Sequence, residues 1–226
     1  MGAAYPNSAM ADGGDTWEPV PSAGKPQATC LAAPGDGWVS VGATVAHTPD
    51  GGRTWMAAYT PALPAQPTVA TGILACGPGW AWVAYTGETL PGTAPELVVA
   101  TGDRGRAWRA VLGRGLYDPA GTVPTLAQAF LNAFVARSAR TAFALTVCGP
   151  CSAPPEVMAT TDGGRTWRTA PIPGARGVAA ASFPDALHGF VTTVAVTSGG
   201  PVFGTADGGR TWRQVYPPAA PPGSRA

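Results

Sequence analysis

Five aspartates recur at the third position of one eight-residue segment, and a carboxylate repeated this way could do acid–base work or close a turn. The segments are Met10–Trp17, Thr48–Trp55, Thr101–Trp108, Thr160–Trp167 and Thr205–Trp212, with the carboxylates at Asp12, Asp50, Asp103, Asp162 and Asp207. We call them boxes one to five. A second motif, Cys148-Gly-Pro-Cys151, has the spacing of a redox dithiol, in which the first sulfur is activated at a helix N-terminus. A third is basic: Arg53, Arg106, Arg165 and Arg210 hold the sixth position of four boxes, and Arg109, Arg168 and Arg213 follow the tryptophan. His47 and His188 are the only imidazoles.

The box chemistry reads as structural. A short Asp side chain accepts hydrogen bonds from backbone N–H groups one or two residues on and closes a turn. The Gly two positions later supplies the positive φ that a tight hairpin needs. Thr and Trp open the outgoing strand, and the indoles of Trp55, Trp108, Trp167 and Trp212 are expected to be largely buried between adjacent hairpins, with Trp17 more exposed. A carboxylate repeated in every unit suits architecture better than a single catalytic site. We therefore expect no catalytic residue among the boxes.

The other motifs are weaker. Two prolines follow Cys151 closely, so no helix continues from the motif. A loop disulfide between Cys148 and Cys151 is favoured over free thiols and over redox catalysis. Cys30 and Cys76 are read first as buried thiols, with a disulfide across consecutive repeats as the sharper alternative. His188 is expected in a solvated turn and His47 as an exposed neighbour of box two. No spacing matches structural zinc, and neither metal nor cofactor is expected. The arginines either form a basic rim that docks an acidic partner or guard outer strands against edge-to-edge pairing; the second reading is favoured.

Such motifs need elements to position them. The box aspartates lie 38, 53, 59 and 45 residues apart, the length of one propeller blade per repeat. Short apolar runs bounded by Gly and Pro precede boxes two to five: Trp38–Gly42, Trp80–Ala84, Ala142–Val147 and Gly189–Val196. Thr125–Ala136 could form a helix by its spacing, but its place in the repeat predicts a strand. The expected fold is all-β, a propeller of four-stranded antiparallel blades at about 26–60, 66–113, 122–173 and 176–217. A partial blade at 1–20 brings the count to about four and a half, and 218–226 is a Pro-rich tail, so the propeller is expected to be incomplete.

Composition agrees and excludes several functions. Gly and Pro number 31 and 25 in 226 residues, yet 45% of the chain is hydrophobic and it holds eight Trp, too much apolar surface for disorder. Charged residues make up 12% and the net charge is +1, which removes the basic footprint of a nucleic-acid binder. Prolines and glycines interrupt the longest uncharged stretch, so no transmembrane segment is expected. Met1–Met10 lacks the basic and apolar regions of a signal peptide, which a truncated start would explain.

The box resembles the Asp box, or BNR repeat, Ser/Thr-x-Asp-x-Gly-x-Thr-Trp. Sialidases, sortilin-type receptors, some glucanases and the photosystem II assembly factor family carry it. The Asp-Gly-Gly-Arg-Thr-Trp cadence of boxes two, four and five is most similar to the assembly factor group. Box one departs at Met10, and box three at Arg104 and Ala107, so those two are expected to hold their turns less firmly. The resemblance implies a propeller with the boxes on its outer rim and a protein partner at a membrane. It also raises glycoside hydrolysis, which needs convergent carboxylates and, in sialidases, an arginine cluster. Neither is evident outside the boxes. The expected function is a non-catalytic protein-binding or assembly scaffold, with a sialidase-like hydrolase fragment as the alternative. The expected location is extracytoplasmic or cell-envelope associated, with the cytoplasm as the alternative.

Overall fold

The computed structural model describes residues 7–9, 18–20, 26–62, 69–87, 96–114, 129–148, 153–175, 177–194 and 199–217. Every regular element among them is a β-strand. Two short strands, β1 (Asn7–Ala9) and β2 (Glu18–Val20), pair antiparallel. Sixteen more form four four-stranded sheets, each an antiparallel meander in chain order. The first holds β3 (Pro26–Ala33), β4 (Asp36–Val41), β5 (Thr44–Thr48) and β6 (Met56–Tyr59). The second holds β7 (Val69–Gly77), β8 (Trp80–Gly87), β9 (Glu96–Thr101) and β10 (Arg109–Arg114). The third holds β11 (Ala129–Ala136), β12 (Ala142–Cys148), β13 (Glu156–Thr160) and β14 (Arg168–Pro171). The fourth holds β15 (Val178–Ser182), β16 (Gly189–Val194), β17 (Gly199–Thr205) and β18 (Arg213–Tyr216). These four-stranded meanders are propeller-type blades, and the fold class is all-β. The segment at 125–136 resolves as strand from Ala129 onward, and 125–128 lies outside the described residues.

The chain divides into two compact units, Met1–Thr125 and Leu126–Ala226. In the first, Trp38 and Val45 pack against Ala81, Val83, Tyr85, Leu97 and Val99 of the next sheet. Central strands covered on both faces read as continuous apolar runs, which is why Trp-Ala-Trp-Val-Ala-Tyr in β8 shows no polar alternation. An aromatic stack continues outward: Trp108 meets Trp38 edge-on at 5.7 Å and stacks on Tyr59 at 5.1 Å. In the second unit, Phe143, Leu145 and Val157 pack against Val178, Phe183, Val191 and Phe203, with the Phe143 and Phe183 rings stacked at 3.7 Å.

Two expectations are corrected. Cys30 and Cys76 are not free thiols: they form a disulfide from β3 to β7, closing a separation of 46 residues with Cα atoms 6.2 Å apart. That spacing suits a disulfide, and the stacked sheets bring the two strands together. His47 is not exposed either. It is 3% exposed, its Nε2 lies 3.1 Å from the Asp36 carboxylate, and its ring leans on Trp38 at 4.4 Å. Among the described residues no helix is long and apolar enough to cross a membrane.

Candidate functional site

Each described box joins the third and fourth strands of its sheet, and the same bonds recur in all four. The first threonine (Thr48, Thr101, Thr160 or Thr205) is buried. Its hydroxyl donates to the box carboxylate at 2.8–2.9 Å. The same oxygen accepts the amide of the residue four positions on, Gly52, Gly105, Gly164 or Gly209, at 2.7–3.1 Å. The carboxylate then accepts from the amide four residues beyond it, for example Thr54 N–H to Asp50 at 2.9 Å and Thr211 N–H to Asp207 at 3.0 Å. The expectation of amides one or two residues on is thereby corrected: two successive left-handed residues curl the chain so that the later amides point back. Gly51 and Gly52 have φ of +73° and +89°, and Gly208 and Gly209 +73° and +80°.

The second box threonine adds a hydroxyl bond, Thr54 to Asp50 at 2.6 Å, Thr166 to Asp162 at 2.7 Å and Thr211 to Asp207 at 2.6 Å. Box three has Ala107 there, so Asp103 takes the Ala107 amide at 2.9 Å without this hydroxyl. These bonds favour the charged form and hold every described box carboxylate below the usual aspartate range. For Asp50 and Asp207 the largest cause is the second threonine's hydroxyl, and for Asp103 and Asp162 the amide of Ala107 or Thr166.

A further bond ties each box to the other turn of its sheet. The amide after the aspartate donates to a carbonyl between the first two strands: Gly51 to Gly35, Arg104 to Gly79, Gly163 to Arg140 and Gly208 to Leu187, at 2.8–2.9 Å. Nothing in the box sequence signals this partner, because it lies in a loop of variable length.

The tryptophans Trp55, Trp108, Trp167 and Trp212 are half-buried, not largely buried as expected, because each sits between two exposed residues where its turn ends. Trp108 Nε1 donates to the Gly105 carbonyl at 3.2 Å, and Trp212 packs edge-on against Phe183 at 6.1 Å. Box one, with Asp12 and Trp17, lies outside the described residues. So does Cys151; Cys148 ends β12, and its side chain is not described.

Arg53, Arg106, Arg165 and Arg210 are exposed. Two of them lean back over their own turns, with Arg165 Nη1 donating to the Asp162 carbonyl and Arg210 Nη1 to the Asp207 carbonyl, both at 2.9 Å. Arg168 reaches from the third sheet to the box of the fourth, its Nη2 donating to the Gly208 carbonyl at 2.7 Å. Partial burial, then the nearby Arg210 charge, lowers its pKa.

Outside the boxes, Asp36 and Asp185 are engaged by local partners. Asp36 meets His47, and Asp185 closes its own turn by accepting the Leu187 and His188 amides at 2.7 Å. His188 is exposed in that turn, its Nδ1 lying 2.9 Å from Asp185, whose pKa is lowered to about 2, chiefly by the His188 amide. Asp15, Glu88 and Asp118 lie outside the described residues. Among the described residues no three His, Cys, Asp or Glu side chains gather to hold a metal ion. Each described box is thus a hydrogen-bonded turn that bears an exposed guanidinium group.

No protein-family model matches the chain, and no curated protein does. Solved structures similar to it include YCF48 bound to D1 peptide, at 16% identity and a TM-score of 0.36, covering 90% of this chain and 73% of that one. An ancestral GH74 enzyme matches at 15% identity and a TM-score of 0.48, covering 96% of this chain and 26% of that one. A mutant of Trypanosoma rangeli sialidase displaying trans-sialidase activity matches at 13% identity and a TM-score of 0.47, covering 93% of this chain and 40% of that one. This chain thus spans well under half the length of the two enzymes.

Proposed function

We propose that this protein is a non-catalytic scaffold that holds another protein, built from repeats of the Asp-box type. One observation carries the reading: every described box carboxylate is occupied by hydroxyl and amide donors of its own turn. A carboxylate held this way is a poor proton donor near neutral pH and has little freedom to meet a substrate. The exposed box arginines offer fixed positive charge to an acidic partner, the kind of complementarity that steers association. The Cys30–Cys76 disulfide supports an oxidising location outside the cytoplasm.

Two assays test the reading. Purified chain incubated with fluorogenic sialosides and β-glucosides is expected to release nothing. Turnover that disappears when Asp36, Glu156 or Asp185 is changed to its amide would replace the scaffold with a hydrolase. Pull-downs from the native host, at low and high salt, compare the wild type with an Arg165→Glu/Arg210→Glu variant. A partner retained by the wild type and lost on charge reversal or in salt supports the basic rim; equal capture by both proteins rejects that rim as the docking surface.

A further inference from the structure

Boxes two, four and five repeat one hexapeptide, Asp-Gly-Gly-Arg-Thr-Trp, beginning at Asp50, Asp162 and Asp207. Each opens with an Asp–Gly bond, the linkage most prone to rearrange, because glycine puts no side chain between its amide nitrogen and the aspartate Cγ. In that reaction the glycine nitrogen attacks Cγ and gives up its proton, and the carboxyl group loses an oxygen as water, leaving a succinimide ring. Water then adds back at either ring carbonyl. One opening restores aspartate. The other gives isoaspartate, in which the main chain runs through the former side-chain carbons, with no net change in atoms. The reacting residues are the same in all three boxes, so the fold ranks them.

Attack requires the Asp–Gly peptide plane to turn until its nitrogen faces Cγ. All three boxes hold the N–H side of that plane, Gly51 donating to the Gly35 carbonyl, Gly163 to Arg140 and Gly208 to Leu187. Boxes four and five also hold its C=O side, where Arg165 Nη1 and Arg210 Nη1 donate to the Asp162 and Asp207 carbonyls. Arg53, the equivalent side chain of box two, makes no such bond among the described residues. The surroundings differ in the same direction. Gly163 and Gly208 are buried, whereas Gly51 is half-buried. A methyl group at Gly208 would lie 2.9 Å from the Ala186 carbonyl oxygen, and one at Gly51 would meet nothing nearer than 3.8 Å. The Thr166 amide reaches both oxygens of Asp162, and Asp207 accepts the Arg210 amide as well as that of Thr211, whereas Asp50 takes the Thr54 amide on one oxygen. Box two thus holds the reacting peptide on one side only, in the most open setting.

We propose that Asp50–Gly51 is the linkage of these three at which the folded chain forms isoaspartate, and that Arg165 and Arg210 guard the other two. Rearrangement dismantles the turn it strikes. It lengthens the main chain by one methylene and leaves the free carboxylate on the α-carbon, away from the Thr48 and Thr54 donors that now hold it. The inference does not rest on the scaffold reading, since it concerns the chemistry of the chain itself.

The test is peptide mapping of the full chain after incubation at neutral pH, with isoaspartate located by electron-transfer fragmentation and a parallel sample unfolded in guanidinium chloride. The unfolded chain is expected to rearrange at equal rates at the three sites. The folded wild type is expected to do so about two- to tenfold faster at Asp50 than at Asp162 or Asp207, the factor that one hydrogen bond supplies. Arg165→Ala is expected to raise the rate at Asp162 toward that at Asp50 and to leave Asp207 unchanged; Arg210→Ala is expected to do the reverse. Equal rates at the three sites of the folded chain overturn the proposal, as does a folded chain that forms no isoaspartate at Asp50 while the unfolded sample does. So does a preference for Asp50 that persists in guanidinium chloride, which would belong to the local sequence and not to the fold. A rate at Asp162 that Arg165→Ala leaves unmoved, or raises together with that at Asp207, overturns the guarding role of the arginines.

Discussion

Arg104 stands where the other described boxes have glycine, at φ +62°. An L side chain in that region costs about 1–2 kcal/mol, part of which glycine gives back through its larger unfolded-state entropy. Arg104→Gly is therefore expected to stabilise the chain by about 0.5–1 kcal/mol, read from the urea midpoint; an unmoved midpoint counts against a strained turn. Space and dihedral separate at two glycines. A methyl at Gly51 meets nothing nearer than 3.8 Å, whereas at Gly105 it comes within 2.8 Å of the Ala58 Cβ and 3.3 Å of the Trp38 ring. Both have positive φ, so Gly105→Ala should cost clearly more than Gly51→Ala, and equal losses would deny the close packing on Trp38. The box carboxylates set the acid limit. Their folded pKa values lie below the ordinary 3.8, so the unfolded chain takes up protons first as pH falls. Their contribution is complete above the unfolded value and is lost as pH drops through the lower folded ones. Thermal scans should show this loss below about pH 4, and Asp162→Asn/Asp207→Asn should flatten it. An acid limb of the same steepness in that variant would assign the loss to other groups.

At the scale of the element, the disulfide is the longest-reaching constraint in the first unit. Closing 46 residues removes unfolded-chain entropy worth about 3–4 kcal/mol on a loop-closure argument. Cys30→Ala/Cys76→Ala should lower stability by about that amount in urea titrations under non-reducing conditions, while adding a reductant to the variant should change nothing further attributable to this bond. A stability equal to the wild type's would mean that the stacked sheets already hold β3 and β7 together. The pairing was one of two readings open in the sequence, because it depends on which faces meet. Cys30 pairs with Trp38 and Cys76 with Ala81, residues that pack on each other across two sheets. No spacing along the chain encodes that. The box itself was legible, since its donors and acceptors lie within a few residues of one another. His47 was misread for the opposite reason: beside the turn it looks solvent-facing, but a sheet covered on both faces buries neighbouring residues alike, and Thr48 is also buried.

On the scale of the molecule, the repeat made the all-β, blade-like architecture readable, whereas the fate of each blade's outer face was not. Trp38, Trp82, Phe143 and Phe190 each follow the residue that pairs with the first threonine of a box. They sit at different distances from their boxes, because the loops between the second and third strands differ in length, so only register exposes the equivalence. Phe190, the exposed member of that set, should govern how the protein behaves in bulk. With a net charge of +1 and a pI near 7.7, the chain has little long-range repulsion to keep copies apart near neutral pH. Contacts through the exposed Phe190 and Tyr216 are apolar, so salt should leave them intact or strengthen them, whereas contacts through the exposed arginines should weaken. The osmotic second virial coefficient, measured by light scattering, is expected to be lowest near pH 7.7 and to fall further on adding sulfate. Above the wild type's pI, Phe190→Glu should raise it by adding negative charge and removing the aromatic contact together, whereas below the pI the added negative charge reduces the net positive charge and opposes the gain from losing the contact. Phe190→Ser removes the contact without adding charge and should recover part of the same rise. If Phe190→Ser matches the wild type while Phe190→Glu does not, net charge alone governs the interaction, and the open sheet face plays no part in it.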